Sequence, residues 1–469
     1  MIRLRSLLLL GLLHPTDLPA QVPTVRADPR IELTTIVFRL IGAEEYNQCQ
    51  LPGYAADIDR YFAPFRDHPA LKLAASLRAT HGIGFDAVPF LAIALTDPPT
   101  LAERVVIGAN GEGLSDRRWA GPHARQFITA LRQFAEESKF AEFFAAHRAL
   151  YDSTTARMQR FMGSQVEWPW FTAFFGEAPT ARFMAVPGMC NGGGNYGPRV
   201  LPANGPEERY AILGMSRVDS AGLPVMHPGG LPTVIHEFNH SFVNPVVARH
   251  REAFRGAGLQ LLADSTVRAM MAARAYGDWE TIVNESLVRA AVVRYLRATQ
   301  GDSAATVELQ AQASIGFLWI GALDSALAAY EASRATYQKL EEFVPQLAAV
   351  FGAAARDIKA TIARLEASRP KIVAFTPTPG ATEVDPTDSL ITVRFDRPMG
   401  RGLSINYGPL GQAAMPKVLG RSWDSTGTVL TLKVGLQPGT SYQMLFFGAG
   451  FRSREGVPLA ERLFTFKTR

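Results

Sequence analysis

The stretch LPTVIHEFNHSF, Leu231 to Phe242, decides how the chain is read. Val234, Ile235 and Phe238 recur at helical spacing, and Pro232 stands in a first turn, where its missing N–H costs nothing. The stretch therefore reads as a helix that begins at Gly229-Gly230-Leu231-Pro232-Thr233. Residues four apart share one face of a helix, so the imidazoles of His236 and His240 stand side by side. Two imidazoles so placed can hold one metal ion, and Glu237 beside them can take a proton from a water that the metal acidifies. With nine His in 469 residues, this pair with Glu after the first His arises by chance roughly once in a hundred such chains. The bland alternative is a helix with two satisfied histidines and a surface carboxylate.

A zinc hydrolase needs a third protein ligand and one open position. His250 lies between Arg249 and Arg251 and reads as a solvated helix face, and position 246, six residues after the second His, is Val. A carboxylate is then expected. Glu285, in TIVNESLVR (281–289), sits on a strongly apolar helical run, where a carboxylate without a partner is costly. A metal explains it; an ion pair with Arg289, four residues on, is the alternative, and Glu280 is the reserve ligand.

Around this segment the chain divides into blocks. Residues 1–20 open with Arg3 and Arg5, continue through SLLLLGLL (6–13) and offer a cut after Ala20, the layout of a secretory signal peptide. No later run is long and apolar enough for a membrane span. Arg30 to Leu40, rich in β-branched residues, reads as a strand or a short buried element, and Arg125 to Met162 is helical. Gly and Pro make 186–205 a loop, and Arg209 to Met215 reads as a strand. Helical runs follow over about 245–275, entered by Asn244-Pro245, over 278–299, and on to about 368. After Arg369-Pro370 come short alternating strands, 391–395, 429–434, 442–447 and 463–467, which suggest a small β-sandwich.

HEFNH followed 45 residues on by Asn284-Glu285 resembles the gluzincin class of metallopeptidases. That resemblance implies that His236, His240 and Glu285 bind Zn2+ and that Glu237 is the catalytic general base. From Arg30 (RIELTTIVFRLIGAEEYNQC) through Arg289 the chain is similar to an uncharacterised group of exported bacterial proteins known as a domain of unknown function, over roughly residues 28 to 365. The last hundred residues, from FTPTPGATEVDPTDSLITVRFDRPM to FTFKT, resemble the bacterial Ig-like domain. The expected fold is α+β: a signal peptide (1–20), a mostly helical zincin-like metallopeptidase domain (21–368) and an Ig-like β-sandwich (369–469). The expected function is that of an exported zinc metallopeptidase acting on a peptide or protein, with the Ig-like domain positioning it or binding a cell-envelope component. Two alternatives stand beside it: a non-catalytic binding protein on the same scaffold, and a hydrolase of non-peptide amides or esters. Tyr196, Tyr210 and Tyr295 are the candidates for stabilising an oxyanion, and Tyr210 to Met215 is the candidate edge strand for a substrate peptide.

Other chemistries find less support. The formal charge of +5 comes without a dense basic stripe, so nucleic acid is not an expected partner. GGGNYG (192–197) matches a dinucleotide pattern, but Pro198-Arg199 follow it instead of a helix, and it reads as a loop beside Cys190. No GxSxG elbow occurs. Cys49 and Cys190 are the only cysteines, which allows one disulfide or two thiols but no Cys-based structural zinc site.

Overall fold

The structure is a computed structural model of the chain, and it describes residues 22–114, 116–177, 181–274, 276–448 and 450–469. The expected signal peptide lies outside the described residues. The chain forms two compact units. One comprises the chain through Arg251 together with Leu287–Thr299 and Leu327–Pro345; the other comprises Glu252–Ser286, Gln300–Ala326 and Gln346–Arg469. The class is α+β, with a β-sandwich at the C-terminal end. Among the described residues no helix is long and apolar enough to cross a membrane.

The first unit is built on a small sheet of β1 (Thr24–Val25), β2 (Arg182–Gly188), β3 (Arg199–Val200) and β4 (Glu208–Gly214), in the order β1-β2-β4-β3. β1, β2 and β4 are parallel, and β3 runs antiparallel at the edge. Its pleat sends alternate side chains to opposite faces. Val186, Tyr196, Val200, Tyr210 and Ile212 pack on one face against Ile31 and Ile93. On the other face Phe183 meets Phe238 and Phe242 of the helix Leu231–Arg249, at ring distances of 5.3 and 5.9 Å. Trp168, Phe171 and Phe175, from the helix Trp168–Phe175, close round the same two rings.

Several elements differ from the sequence reading for identifiable reasons. The span 30–40 is not a strand but part of the helix Pro29–Leu40, whose start is capped by Asp28 accepting from the Arg30 N–H. Nearly all its residues are buried, so it shows no polar face from which helical periodicity could be read. The run 125–162 is three helices, His123–Glu137, Phe140–Ala146 and Arg148–Gln165, broken where Lys139 takes φ of 50° and again at His147. Pro245 does not begin a new helix. The helix Leu231–Arg249 runs through it, and the break comes at His250. A proline inside a helix leaves the carbonyl four residues earlier without its donor. Here the Arg209 guanidinium, from β4, donates to that carbonyl on Ser241, and it also stacks over the Phe242 ring at 5.9 Å.

The second unit begins with the helices Arg251–Ala263 and Ser265–Ala272. Asp278 caps the helix Trp279–Gln300, which starts in this unit and continues into the first. The long helix Val344–Ser368 packs on Arg251–Ala263 through Phe254 and Phe351, 5.7 Å apart. The sandwich then pairs two sheets. One is β5 (Ile372–Thr376), β6 (Leu390–Phe395), β9 (Val429–Gly435) and β8 (Lys417–Trp423), in the order β5-β6-β9-β8. The other is β11 (Arg462–Lys467), β10 (Ser441–Phe446) and β7 (Ile405–Asn406). Val393, Leu430, Leu432, Met444, Phe446 and Phe464 fill the space between them.

Candidate metal centre

Phe238 and Phe242 fix the roll of the helix Leu231–Arg249. Residues two apart lie about 200° round a helix, so anchoring these rings on the sheet turns His236 and His240 away from it. Both imidazoles are half-buried, and their Nε2 atoms stand 3.1 Å apart. Two nitrogens bound to one tetrahedral zinc at the usual bond length stand about 3.3 Å apart, so the spacing suits a shared ion. His240 Nδ1 lies 3.1 Å from Asn244 Oδ1, one turn on. An Nδ1–H donated there leaves the Nε2 lone pair directed at the neighbouring imidazole.

Glu237 is buried, and its Oε2 faces Gly197, where a Cβ would come within 3.0 Å of it. Gly197 belongs to the segment that pairs with β4: Tyr196 and Ile212 exchange N–H···O bonds of 2.9 and 2.8 Å, and Tyr210 N donates to Pro198 O at 2.8 Å. This segment, continuing into β3, is the edge of the sheet beside the HEFNH residues. β4 is paired on both sides, so the expectation that Tyr210 to Met215 forms the edge is corrected. The sequence pointed to the stronger strand; the true edge is short, glycine-flanked and lacks strand composition.

Glu285 lies on the helix Trp279–Gln300 and is buried; the Tyr276 hydroxyl donates to its Oε2 at 3.0 Å. The same helix meets the HEFNH helix one turn later, where Asn239 Nδ2 donates to Val288 O at 3.3 Å. His236, His240 and Glu285 each offer one ligand atom, and these atoms lie within 4.8 Å of one another. Tyr276 was not anticipated. It stands nine residues before Glu285, outside the helix, and no spacing rule reaches it.

The remaining candidates fall elsewhere. Tyr210 accepts from Arg30 at 3.0 Å and donates to Glu208 at 2.7 Å, inside a buried network that includes Asp28 and Arg104. Within that network the Arg30 guanidinium outweighs burial and holds the Asp28 carboxyl at about 2. Tyr196 is buried in the opposite face of the sheet, and the Tyr295 hydroxyl accepts from the Glu167 N–H at 2.8 Å. None of the three is placed as an oxyanion donor, because pleat parity and core packing commit them first. His250 pairs with Glu341 at 2.9 Å, beside a two-pronged Arg249–Glu341 contact that draws Glu341 down to about 2. The GGGNYG segment is a loop, and its Gly193 and Asn195 help line a cavity of about 400 Å3 at the start of the HEFNH helix. Thr233 also lines it, one turn before His236 on the same face. The Sγ atoms of Cys49 and Cys190 lie 2.7 Å apart, and a hydrogen bond from Cys190 lowers the Cys49 thiol.

Residues 24–350 match the family described as "Domain of unknown function (DUF4932)", well over half of the chain. The chain belongs to that family. This DUF4932 protein also matches the bacterial Ig-like domain over residues 366–468. No curated protein matches it. Two similar solved structures are titled "Crystal structure of the S-layer protein rSbsC(31-844)" and "Crystal structure of the N-terminal part of the bacterial S-layer protein SbsC". They are 13% and 14% identical, with TM-scores of 0.17 and 0.18, over 50% and 51% of this chain. The DUF4932 protein spans 33% of the first and 58% of the second.

Proposed function

We propose that the chain is a zinc-dependent hydrolase of peptide bonds with a zincin-like centre, working outside the cytoplasm. The observation that carries this reading is the convergence of two imidazole nitrogens and one buried carboxylate, His236, His240 and Glu285, beside a second buried carboxylate, Glu237. The donor set fits zinc: two His and one Glu leave a fourth position open, and the imidazoles disfavour magnesium or calcium. Zinc held there supplies a Lewis acid for the scissile carbonyl and a water acidified toward neutral pH.

The protein residues do the rest. Glu237 takes the proton of the attacking water on a carboxylate oxygen and returns it to the leaving amine nitrogen. Asn244 fixes the His240 tautomer, and Tyr276 orients Glu285. Among the described residues no further strand of the sheet lies beyond the edge that carries Gly197, so an extended chain could pair there, which favours peptides over other amides. The cavity at Thr233 would take one substrate side chain. Export is supported by the leader-like start of the sequence and by the bacterial Ig-like domain.

The test is zinc content and hydrolysis of a quenched-fluorescent peptide library. The wild type should carry about one zinc per chain and cleave peptides. His236→Ala/His240→Ala should lose the metal, and Glu237→Gln should keep it while losing turnover. A zinc-replete wild type that binds no metal would overturn the reading, and a Glu237→Gln variant as active as wild type would remove the general base.

A further inference from the structure

The Ig-like domain carries a cleft of about 450 Å3 between the end of β8 and the turn around Met399–Arg401. β8 is the edge strand of its sheet, and it carries a register shift between Val418 and Gly420. Beyond that irregularity Arg421 pairs with Leu432 and Trp423 with Leu430. Directly paired residues point to the same face of a sheet, so Arg421 and Trp423 point to the face that elsewhere forms the core. Leu430 and Leu432 are fully buried, yet Arg421 is exposed and Trp423 half-exposed. Among the described residues the second sheet has three strands against the four of this one. A margin serving packing alone would be capped by small or apolar residues; this one presents a guanidinium and an indole.

Two more guanidinium groups face the cleft, those of Arg401 and Arg454. Among the described residues none of the three arginines makes a side-chain hydrogen bond or ion pair. The one acid lining the cleft, Asp424, is committed to its own turn. It accepts from Thr428 N at 2.8 Å and Val429 N at 2.9 Å, and from the Thr426 hydroxyl, bonds that hold its carboxyl low. Glu455, next to Arg454, is likewise drawn down, first by the Ser453 hydroxyl. The opposite wall is pinned by the backbone: Met399 N donates to Gly427 O, Gly400 N to Arg452 O and Arg454 N to Pro398 O, at 2.8–3.0 Å. Trp423 is braced by Phe395, 5.6 Å away. The positive groups therefore surround a preformed hollow, and none of the three forms an ion pair with the acid that lines it.

We infer that this cleft binds an acidic polysaccharide, with the arginines holding its carboxylate or phosphate groups and the Trp423 ring lying against a sugar face. Arginine forks match either anion, an indole offers an apolar plate to a pyranose, and the Ser422 and Ser425 hydroxyls suit sugar hydroxyls. Nucleic acid fits less well. It calls for a basic groove with stacking rings in succession, whereas the cleft lining holds one aromatic ring.

The experiment titrates the full chain with polygalacturonate (carboxylates), phosphomannan (phosphates), neutral dextran and single-stranded DNA. At least one acidic glycan should bind, more weakly as salt rises, and dextran should not. Polygalacturonate alone would assign carboxylate, phosphomannan alone phosphate. Arg421→Gln/Arg454→Gln should raise the Kd at least tenfold with an unchanged melting temperature, since both side chains are exposed. Arg401→Gln provides a second variant on the other wall. Failure of the wild type to bind either acidic glycan, equal binding by the arginine variants, or tighter binding of DNA would overturn the inference.

Discussion

The Tyr276 hydroxyl donates to Glu285 Oε2 at 3.0 Å, so the carboxylate grouped with the two imidazoles is held by a hydroxyl on a different segment. Groups of this kind fix the orientation of a ligand without touching the metal. Tyr276→Phe should weaken zinc affinity roughly 10-fold or more. Competition with a chromogenic chelator measures it, and an unchanged affinity would reduce Tyr276 to a packing residue.

Gly197 leaves Glu237 its place. A methyl group at position 197 would come within 3.0 Å of Glu237 Oε2 and displace the carboxylate. Gly197→Ala should lower kcat roughly 3- to 10-fold while zinc content stays at the wild-type level, because the carboxylate must give by a few tenths of an ångström and catalysis is sensitive to such misplacement. Loss of metal together with activity would instead indicate collapse of the whole site.

The Arg209–Ser241 contact invites a double-mutant cycle. Arg209→Met leaves the Ser241 carbonyl without a donor and should destabilise by about 1–3 kcal/mol. Pro245→Ala restores the helical N–H, so Arg209→Met should cost much less in that background. Equal costs in both backgrounds would mean that Arg209 acts through its stacking on Phe242 alone. Urea unfolding of the four proteins decides.

Glu32 is buried in the helix Pro29–Leu40, and burial outweighs the hydrogen bond from Tyr54 to push its carboxyl up to about 7. The native state thus keeps a proton that the unfolded chain releases near 4.5. Between those values the native form binds more protons than the unfolded one, so stability falls as pH rises. Relative to Glu32→Gln, the wild type should lose about 3 kcal/mol between pH 4.5 and 7.5, read from urea midpoints. Parallel curves for the two proteins would show that Glu32 titrates normally.

The sequence made the HEFNH helix legible because chemistry and periodicity agreed there: the imidazoles needed four-residue spacing, and the apolar residues supplied the helix around them. Glu285 stood out because a carboxylate in an apolar run needs a reason. The sandwich strands were readable from their alternation, although β5, β7 and β8 were not singled out. What stayed hidden depended on partners distant in the chain. Pro245 looks like a helix start until Arg209 is seen supplying its missing bond. Tyr196 and Tyr210 look available until pleat parity turns them to the far face. Arg30 to Leu40 looks like a strand because a helix buried on every side has no polar stripe to betray it.

The substituted bond at Ser241 also acts as a position marker. A helix held on a sheet by aromatic rings alone can slip along its axis by a turn, about 5.4 Å, and find nearly equivalent packing. Here such slippage would bring the Arg209 guanidinium opposite carbonyls that already have donors and strand the one that lacks it. An apparent flaw in the helix therefore indexes it to β4, and through β4 to the edge that carries Gly197. The depth at which the two imidazoles and Glu237 sit is set by a proline placed one turn beyond them.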